Sequence, residues 1–193
     1  RAAAREGQYV LADIGSTGKL LKPYGNISEE EASAAFAEQA LILAEGGVDG
    51  FIIETVIDLR EALCALNALR EVSDLPVLAS IAFNTVNNGG RTEMGNSAGD
   101  CARALTEAGA DAVGANCGSL TPSEIAQIIA LMRGETDLPL IAQPNAGRAR
   151  LVEKRLVFDM PPADFAAGLL ECAEAGARLL GGCCGTSPAH IEA

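Results

Sequence analysis

The chain has 193 residues, 49% of them hydrophobic, and no apolar run approaches the length of ~20 residues that a membrane-spanning helix needs. Its formal net charge of −12 and pI near 4.5 argue against a phosphate-backbone surface, which requires clustered Lys and Arg, so neither nucleic acid nor membrane is an expected partner. RAAAREGQYVLADIG has no continuous apolar stretch followed by a small-residue cleavage site, so a cytoplasmic protein is expected. The six cysteines are then thiols, metal ligands or core residues rather than a disulfide framework.

In chain order, RAAARE (1–6) reads as the tail of a helix whose beginning is absent. YVLADI (9–14) is the first strand candidate, and ADIGSTGK after it has glycines at the wrong spacing for a GxGxxG nucleotide loop. A helix is expected over 28–46, where Ser28 and Glu31 have capping-box spacing, followed by strand GFIIET (50–55) and a helix over 59–73. Strand PVLASIAF (76–83), helix 97–109 and strand AVGANC (112–117) come next. Thr121 and Pro122 then open a helix over 122–133, with an N-cap and a proline at its first position. Strand LPLIAQP (138–144), helix 162–176 and strand RLLGGCC (178–184) complete the series. Short apolar runs alternating with longer amphipathic ones are the pattern of βα units and a parallel sheet. The strands are near-continuously apolar, as suits strands covered on both faces.

An internal repeat precedes three of these strands: EGGVDGFIIET (45–55), EAGADAVGANC (107–117) and EAGARLLGGCC (174–184) align without a gap. In each, a glycine suited to a left-handed helix cap turns the chain and a strand begins at once. Thr55, Cys117 and Cys184 share one position, and Glu54, Asn116 and Cys183 share the one before. All lie where a strand gives way to its loop, the end of a parallel sheet at which ligand sites form. A closed eight-stranded barrel needs two strands more than are visible, so the expectation is a single α/β domain over 1–193 built as an incomplete barrel, with an open doubly wound sheet as the alternative.

Cys64, Cys101 and Cys172 lie in helical stretches among Ala and Leu and read as small buried core residues. Cys117, Cys183 and Cys184 stand beside glycines at strand ends, where three soft ligands and no fourth cysteine suit a zinc site with an open position. A redox pair and inert packing are the competing readings of the same residues. Zinc among thiolates is electron-rich and better at holding another thiol as thiolate than at activating water, which suggests a thiol substrate. His190, the only histidine, reads as a helix-surface residue with a fourth ligand as the alternative. Glu54 is either solvated at a rim or placed to hold a cationic substrate group. Asp13 and Asn145 divide between a turn-forming and a functional role.

Taken together, GANCG around Cys117, GGCCGT around Cys183 and Cys184, IIET around Glu54, ADIGSTGK and QPNAG around Asn145 resemble the homocysteine S-methyltransferase family, in particular its cobalamin-dependent group. The resemblance runs through the whole chain in order. It implies a (βα)8 TIM barrel whose first two βα units are missing here. It further implies Zn2+ bound by Cys117, Cys183 and Cys184, with the homocysteine sulfur as exchangeable fourth ligand. Glu54 becomes the partner of the substrate ammonium. Asp13 and Asn145 are substrate-side residues, Asn145 taking the metal's fourth position when substrate is absent. The implied reaction is methyl transfer to homocysteine, giving methionine, with methylcobalamin as donor. Corrinoid-binding and methyltetrahydrofolate-binding modules would be partners, while betaine or S-methylmethionine as donor, another thiol as acceptor, or a non-catalytic barrel are the alternatives.

Overall fold

The computed structural model describes residues 3–193 and contains one parallel six-stranded sheet. The elements run β1 (Leu11–Ile14), α1 (Glu29–Glu45), β2 (Gly50–Val56), α2 (Leu59–Val72), β3 (Val77–Ile81), α3 (Ala98–Glu107), β4 (Ala112–Asn116), α4 (Pro122–Arg133) and β5 (Leu140–Gln143). There follow a short hairpin, β6 (Arg150–Val152) and β7 (Arg155–Val157), then α5 (Pro162–Glu174), β8 (Ala177–Leu180) and α6 (Pro188–Glu192). The sheet order is β1-β2-β3-β4-β5-β8. That order is sequential, so the sheet has no switch point of the doubly wound kind, and successive right-handed crossovers put the helices on a single face. Among the described residues β1 and β8 do not pair with each other, so the sheet is open.

The register shows which face is which. Ile14, Phe51, Ile53, Val77, Ala79, Val113, Ala115, Leu140 and Ala142 are fully buried and join α1 to α5 in one apolar core. The opposite face carries Asp13, Ile52, Leu78 and Ala112 in one row, and Ser80, Gly114 and Ile141 in the next. Asn116 and Gln143 pair in the row at the strand ends. The core therefore lies between sheet and helices, and the polar side chains Asp13, Ser80, Asn116 and Gln143 lie on the opposite face among apolar ones. Capping fixes where helices begin: Ser28 and Thr121 each close a capping box, with Glu31 and Glu124.

Several boundaries differ from expectation for local reasons. Val10 N–H donates to the Asp49 carboxylate rather than to the ladder, so β1 starts late. Pro76 and Pro139, lacking N–H donors, stand outside the strands they were expected to join. β8 stops at Leu180, before the glycine pair 181–182 and the two cysteines. Arg1 and Ala2 of the expected N-terminal helix tail lie outside the described residues, and residues 3–6 form turns and irregular backbone rather than helix. The hairpin was not foreseen, and α6, outside the expected series, is the helix on whose surface His190 was read. No helix among the described residues is long and apolar enough to cross a membrane.

Candidate metal centre

The repeated segments share geometry as well as sequence. Gly47, Gly109 and Gly176 all have positive φ, at 76°, 91° and 111°, and each turns a helix end into the next strand. At the far end of the strands, Thr55 and Cys117 both adopt left-handed backbone, with φ of 59° and 51°. In β2 the turn at Thr55 acts as a bulge, so Val56 returns to the helix side and Glu54 is the last residue on the face away from the helices. In β4 it lifts the Cys117 side chain over the strand end. Gly118, at φ 67°, continues the turn against the backbone of Phe83, where a Cβ would lie 2.3 Å from a carbonyl oxygen. In the third copy the left-handed residue is Gly185, one position later, which leaves both Cys183 and Cys184 ahead of the turn.

This arrangement gathers the three strand-end thiols. Cys117 Sγ lies 3.9 Å from Cys184 Sγ, Cys184 Sγ lies 4.0 Å from Cys183 Sγ, and all three fall within 4.8 Å of one another. Sulfurs on a tetrahedral zinc with bonds of ~2.3 Å stand about 3.8 Å apart, so the spacing fits that ion with little movement. No other group of three His, Cys, Asp or Glu side chains among the described residues could hold a metal. Cys183 N–H donates to Pro144 O at 2.9 Å and Ala146 N–H to Cys184 O at 2.9 Å, so the cysteine loop is laced to the loop after β5. Cys117 is held well below the ordinary thiol value, at about 5, by the S–H of Cys183, with help from the Gly118 N–H, Cys184 and Asn145. Cys183 moves upward because its proton serves Cys117, and Cys184 moves upward chiefly through burial and then the negative charge of Cys117. One thiolate is thus already stabilised before any metal arrives, which lowers the proton cost of the first ligand.

Glu54 is half-buried on the same face. Burial first, then the negative charges of Asp13 and Cys117, push its carboxyl upward. Asp13 is exposed, one row below. Asn145 is buried, and both ends of its amide are engaged: Nδ2 donates to Gly118 O at 3.1 Å and Oδ1 accepts from Cys184 N–H at 3.0 Å. It ties the two cysteine-bearing loops together. His190 is half-buried with both ring nitrogens engaged, Nδ1 by the Ser187 hydroxyl at 2.8 Å and Nε2 by Met160 O at 3.0 Å, and its ring edges onto Phe165. It stands outside the thiol cluster.

Two residues carry more than their sequence context suggested. Asn116 is fully buried; its Oδ1 accepts from Thr55 N–H and the Ser80 hydroxyl, and its Nδ2 donates to the Thr55 hydroxyl at 2.8 Å and lies 3.9 Å from Cys183 Sγ. It locks the ends of β2, β3 and β4 beside the thiols, and its place in the repeat was the available signal. Glu61, 2% exposed, accepts from Thr17 N–H at 2.7 Å and from the hydroxyls of Thr17 and Ser16. It pins the GSTGK loop after β1, yet in the sequence it is indistinguishable from an acidic residue on a solvated helix turn.

Known proteins resemble the chain along nearly its whole length. The family model described as homocysteine S-methyltransferase matches residues 1–193. The chain is 32% identical over 191 residues to methionine synthase of Mycobacterium tuberculosis (strain ATCC 25618 / H37Rv), and 30% identical to that of Mycobacterium leprae (strain TN). It aligns over 96% of its own length in both cases but spans only 16% and 15% of the relatives. Among solved structures, the apo homocysteine methyltransferase MmuM from Escherichia coli superposes with a TM-score of 0.74 at 23% identity, covering 95% of this chain and 60% of that one. The carboxyl transferase domain of Rhizobium etli pyruvate carboxylase gives 0.55 at 19% identity, covering 89% of this chain and 27% of that one. Likeness at these identities speaks for the fold alone, and the second structure is an enzyme of a different description. The family match and the Mycobacterium alignments go further: the chain belongs to the homocysteine S-methyltransferase family of enzymes.

Proposed function

We propose that this chain is the thiol-binding part of a zinc-dependent methyltransferase that methylates the sulfur of homocysteine to give methionine, with a methylcorrinoid as immediate donor. The observation that carries the reading is the cluster of three cysteine sulfurs within 4.8 Å at the strand ends, with the Glu54 carboxylate near enough to feel the charge of Cys117. When bound, zinc with three sulfur ligands would leave a fourth position for the substrate sulfur and favour its thiolate form. Cys117, Cys183 and Cys184 hold the ion. Glu54 accepts hydrogen bonds from the substrate ammonium, Asp13 adds negative charge from the row below, and Asn145 keeps the two cysteine loops at fixed separation. The thiolate sulfur takes the methyl group as a cation equivalent from the donor, whose carbon bond breaks with both electrons remaining on the donor. The sheet is read as six strands of a (βα)8 barrel, two short of closure. The methionine synthase relatives and the ADIGSTGK and PNAG segments favour the corrinoid route over other donors.

The test is proton release. A free thiol with a pKa of about 8.5 is mostly protonated at pH 7, so homocysteine binding to the zinc-loaded protein should release close to one proton. Calorimetry in buffers of different ionisation enthalpy reads that number directly. Measurable binding with no proton release would mean that the sulfur does not reach the metal.

A further inference from the structure

The hairpin β6–β7 belongs to neither the sheet nor the apolar core. Leu151 and Leu156 form a cross-strand pair and are 74% and 67% exposed, and Val152 is 45% exposed. A two-stranded ribbon of this size is marginal in water without something packed against it. Its charge is also unlike that of the rest of the chain. Arg148, Arg150, Lys154 and Arg155 are four of the 14 Lys and Arg residues, so with Glu153 the segment 148–157 carries +3; since the whole chain is −12, the remainder carries −15. Arg148 pairs with Glu124 and Arg150 with Asp159, while Lys154 at the tip and Arg155 beside it make no ion pair among the described residues.

The base of this ribbon is fastened to the thiol cluster. Ala146 N–H donates to Cys184 O and Met160 N–H to Ala146 O. Phe158 packs so closely over Gly185 that a Cβ there would lie 2.2 Å from the Phe158 Cβ. The tongue thus stands at the rim of the face on which the reaction is proposed. We infer that it is the docking surface for the protein that delivers the methyl donor, a partner with an acidic rim around an apolar patch. This rests on the proposed function. An acidic partner is repelled by the −15 remainder and attracted at the tongue, so the charge pattern orients its approach, and the leucine pair supplies the area that is desolvated on contact. With Arg148 and Arg150 already paired, only Lys154 and Arg155 are left for lipid headgroups, fewer than the roughly four to eight basic residues of an anionic-bilayer site, so an acidic protein suits the tongue better than a membrane.

Two double variants of the full chain test this: Lys154→Glu with Arg155→Glu, and Leu151→Ser with Leu156→Ser. Each is assayed for homocysteine methylation with free methylcobalamin and with a corrinoid protein charged with methylcobalamin. The charge reversal, which touches only exposed side chains, should raise the corrinoid-protein concentration for half-maximal rate by about tenfold or more, most strongly at low salt. The rate with free methylcobalamin should stay within about twofold of the parent. Equal behaviour of parent and variants toward the corrinoid protein, or parallel loss with both donors, would overturn the inference. Tongue-dependent binding to phosphatidylglycerol vesicles, or tongue-dependent self-association in sedimentation, would also overturn it, in favour of lipid or a second copy. If the parent methylates homocysteine with neither donor, the proposed function fails on its own. Fluorescence anisotropy with the labelled corrinoid protein then decides the docking question: binding lost in the charge reversal upholds it, and no binding by the parent overturns it.

Discussion

Cys64, Cys101 and Cys172 lie on the helix side of the sheet; Cys117, Cys183 and Cys184 lie at its carboxyl end. The first trio packs among apolar neighbours, and burial pushes the Cys101 and Cys172 thiols up to about 12. Cys64 moves in the same direction for the same leading reason. Members of the second trio face one another, with N–H donors and a buried amide around them, and one of the three is pushed down to about 5. The residue type is the same in both places. Its chemistry is decided by whether neighbouring atoms can stabilise a negative sulfur: at the strand ends they do so for Cys117, at the expense of Cys183 and Cys184, which move up, whereas in the core burial outweighs what neighbours supply.

The largest effect that separates the two trios is metal content. Cys184→Ala should abolish stoichiometric zinc binding, because water does not replace a thiolate in a sulfur-rich site. Cys101→Ala should keep its zinc and lose roughly 1–2 kcal/mol of stability through a small cavity. Elemental analysis beside thermal unfolding checks both, and zinc retained by the first variant would remove the distinction.

Reactivity sharpens the comparison in the metal-free protein. At pH 7 a thiol near 5 carries about five orders of magnitude more thiolate than one near 12, and the weaker nucleophilicity of the more acidic thiol gives back about three. Iodoacetamide should therefore label Cys117 at least roughly a hundredfold faster than Cys101 or Cys172, as followed by peptide mass spectrometry. Comparable rates in the folded protein would mean that the strand-end environment does not stabilise the thiolate.

Glu54 extends the contrast from metal to substrate. A charge-assisted hydrogen bond contributes on the order of 1.5–3 kcal/mol, so Glu54→Gln should weaken homocysteine binding roughly ten- to a hundredfold and leave zinc content unchanged. Mercaptoethanol, which has no amino group, should bind both proteins alike. The raised carboxyl has a stability consequence of definite sign. In the folded state it holds its proton more tightly than in the unfolded chain, so stability falls as pH rises from the ordinary glutamate value through the raised one. Glu54→Gln removes that loss, and its melting temperature at neutral pH should equal or exceed the parent's. Zinc loss, or equal weakening of both thiols, would make Glu54 a structural residue.

The strand ends were legible in the sequence because the repeat marks them twice, with a glycine that turns each helix into its strand and with a polar or sulfur residue where the strand stops. Gly47, Gly109 and Gly176 adopt the left-handed turn that this pattern requires. The parallel strands and their helices followed from apolar periodicity, and Pro76 and Pro139 account for the late starts of β3 and β5. The hairpin was not legible. Its turn places Glu153 and Lys154 at φ 47° and 63°, where the usual signal is Asn-Gly or Asp-Gly, and its outward leucines do not alternate with polar residues. Asn116 and Glu61 escaped for another reason: their partners are 61 and 44 residues away, at Thr55 and Thr17, and no local pattern reports such contacts. Asn145 shows the same limit, since a turn-like PNAG segment does not reveal that both ends of the amide brace the cysteine loops.

The claim on which everything else rests is that Cys117, Cys183 and Cys184 hold a zinc ion whose remaining position accepts the substrate sulfur. X-ray absorption at the zinc edge counts sulfur neighbours at ~2.3 Å directly. The expected result is three sulfurs and one lighter ligand in the zinc-loaded protein, changing to four sulfurs when homocysteine is added. A sulfur count below three without substrate, or a count that does not change on saturation with homocysteine, would contradict it.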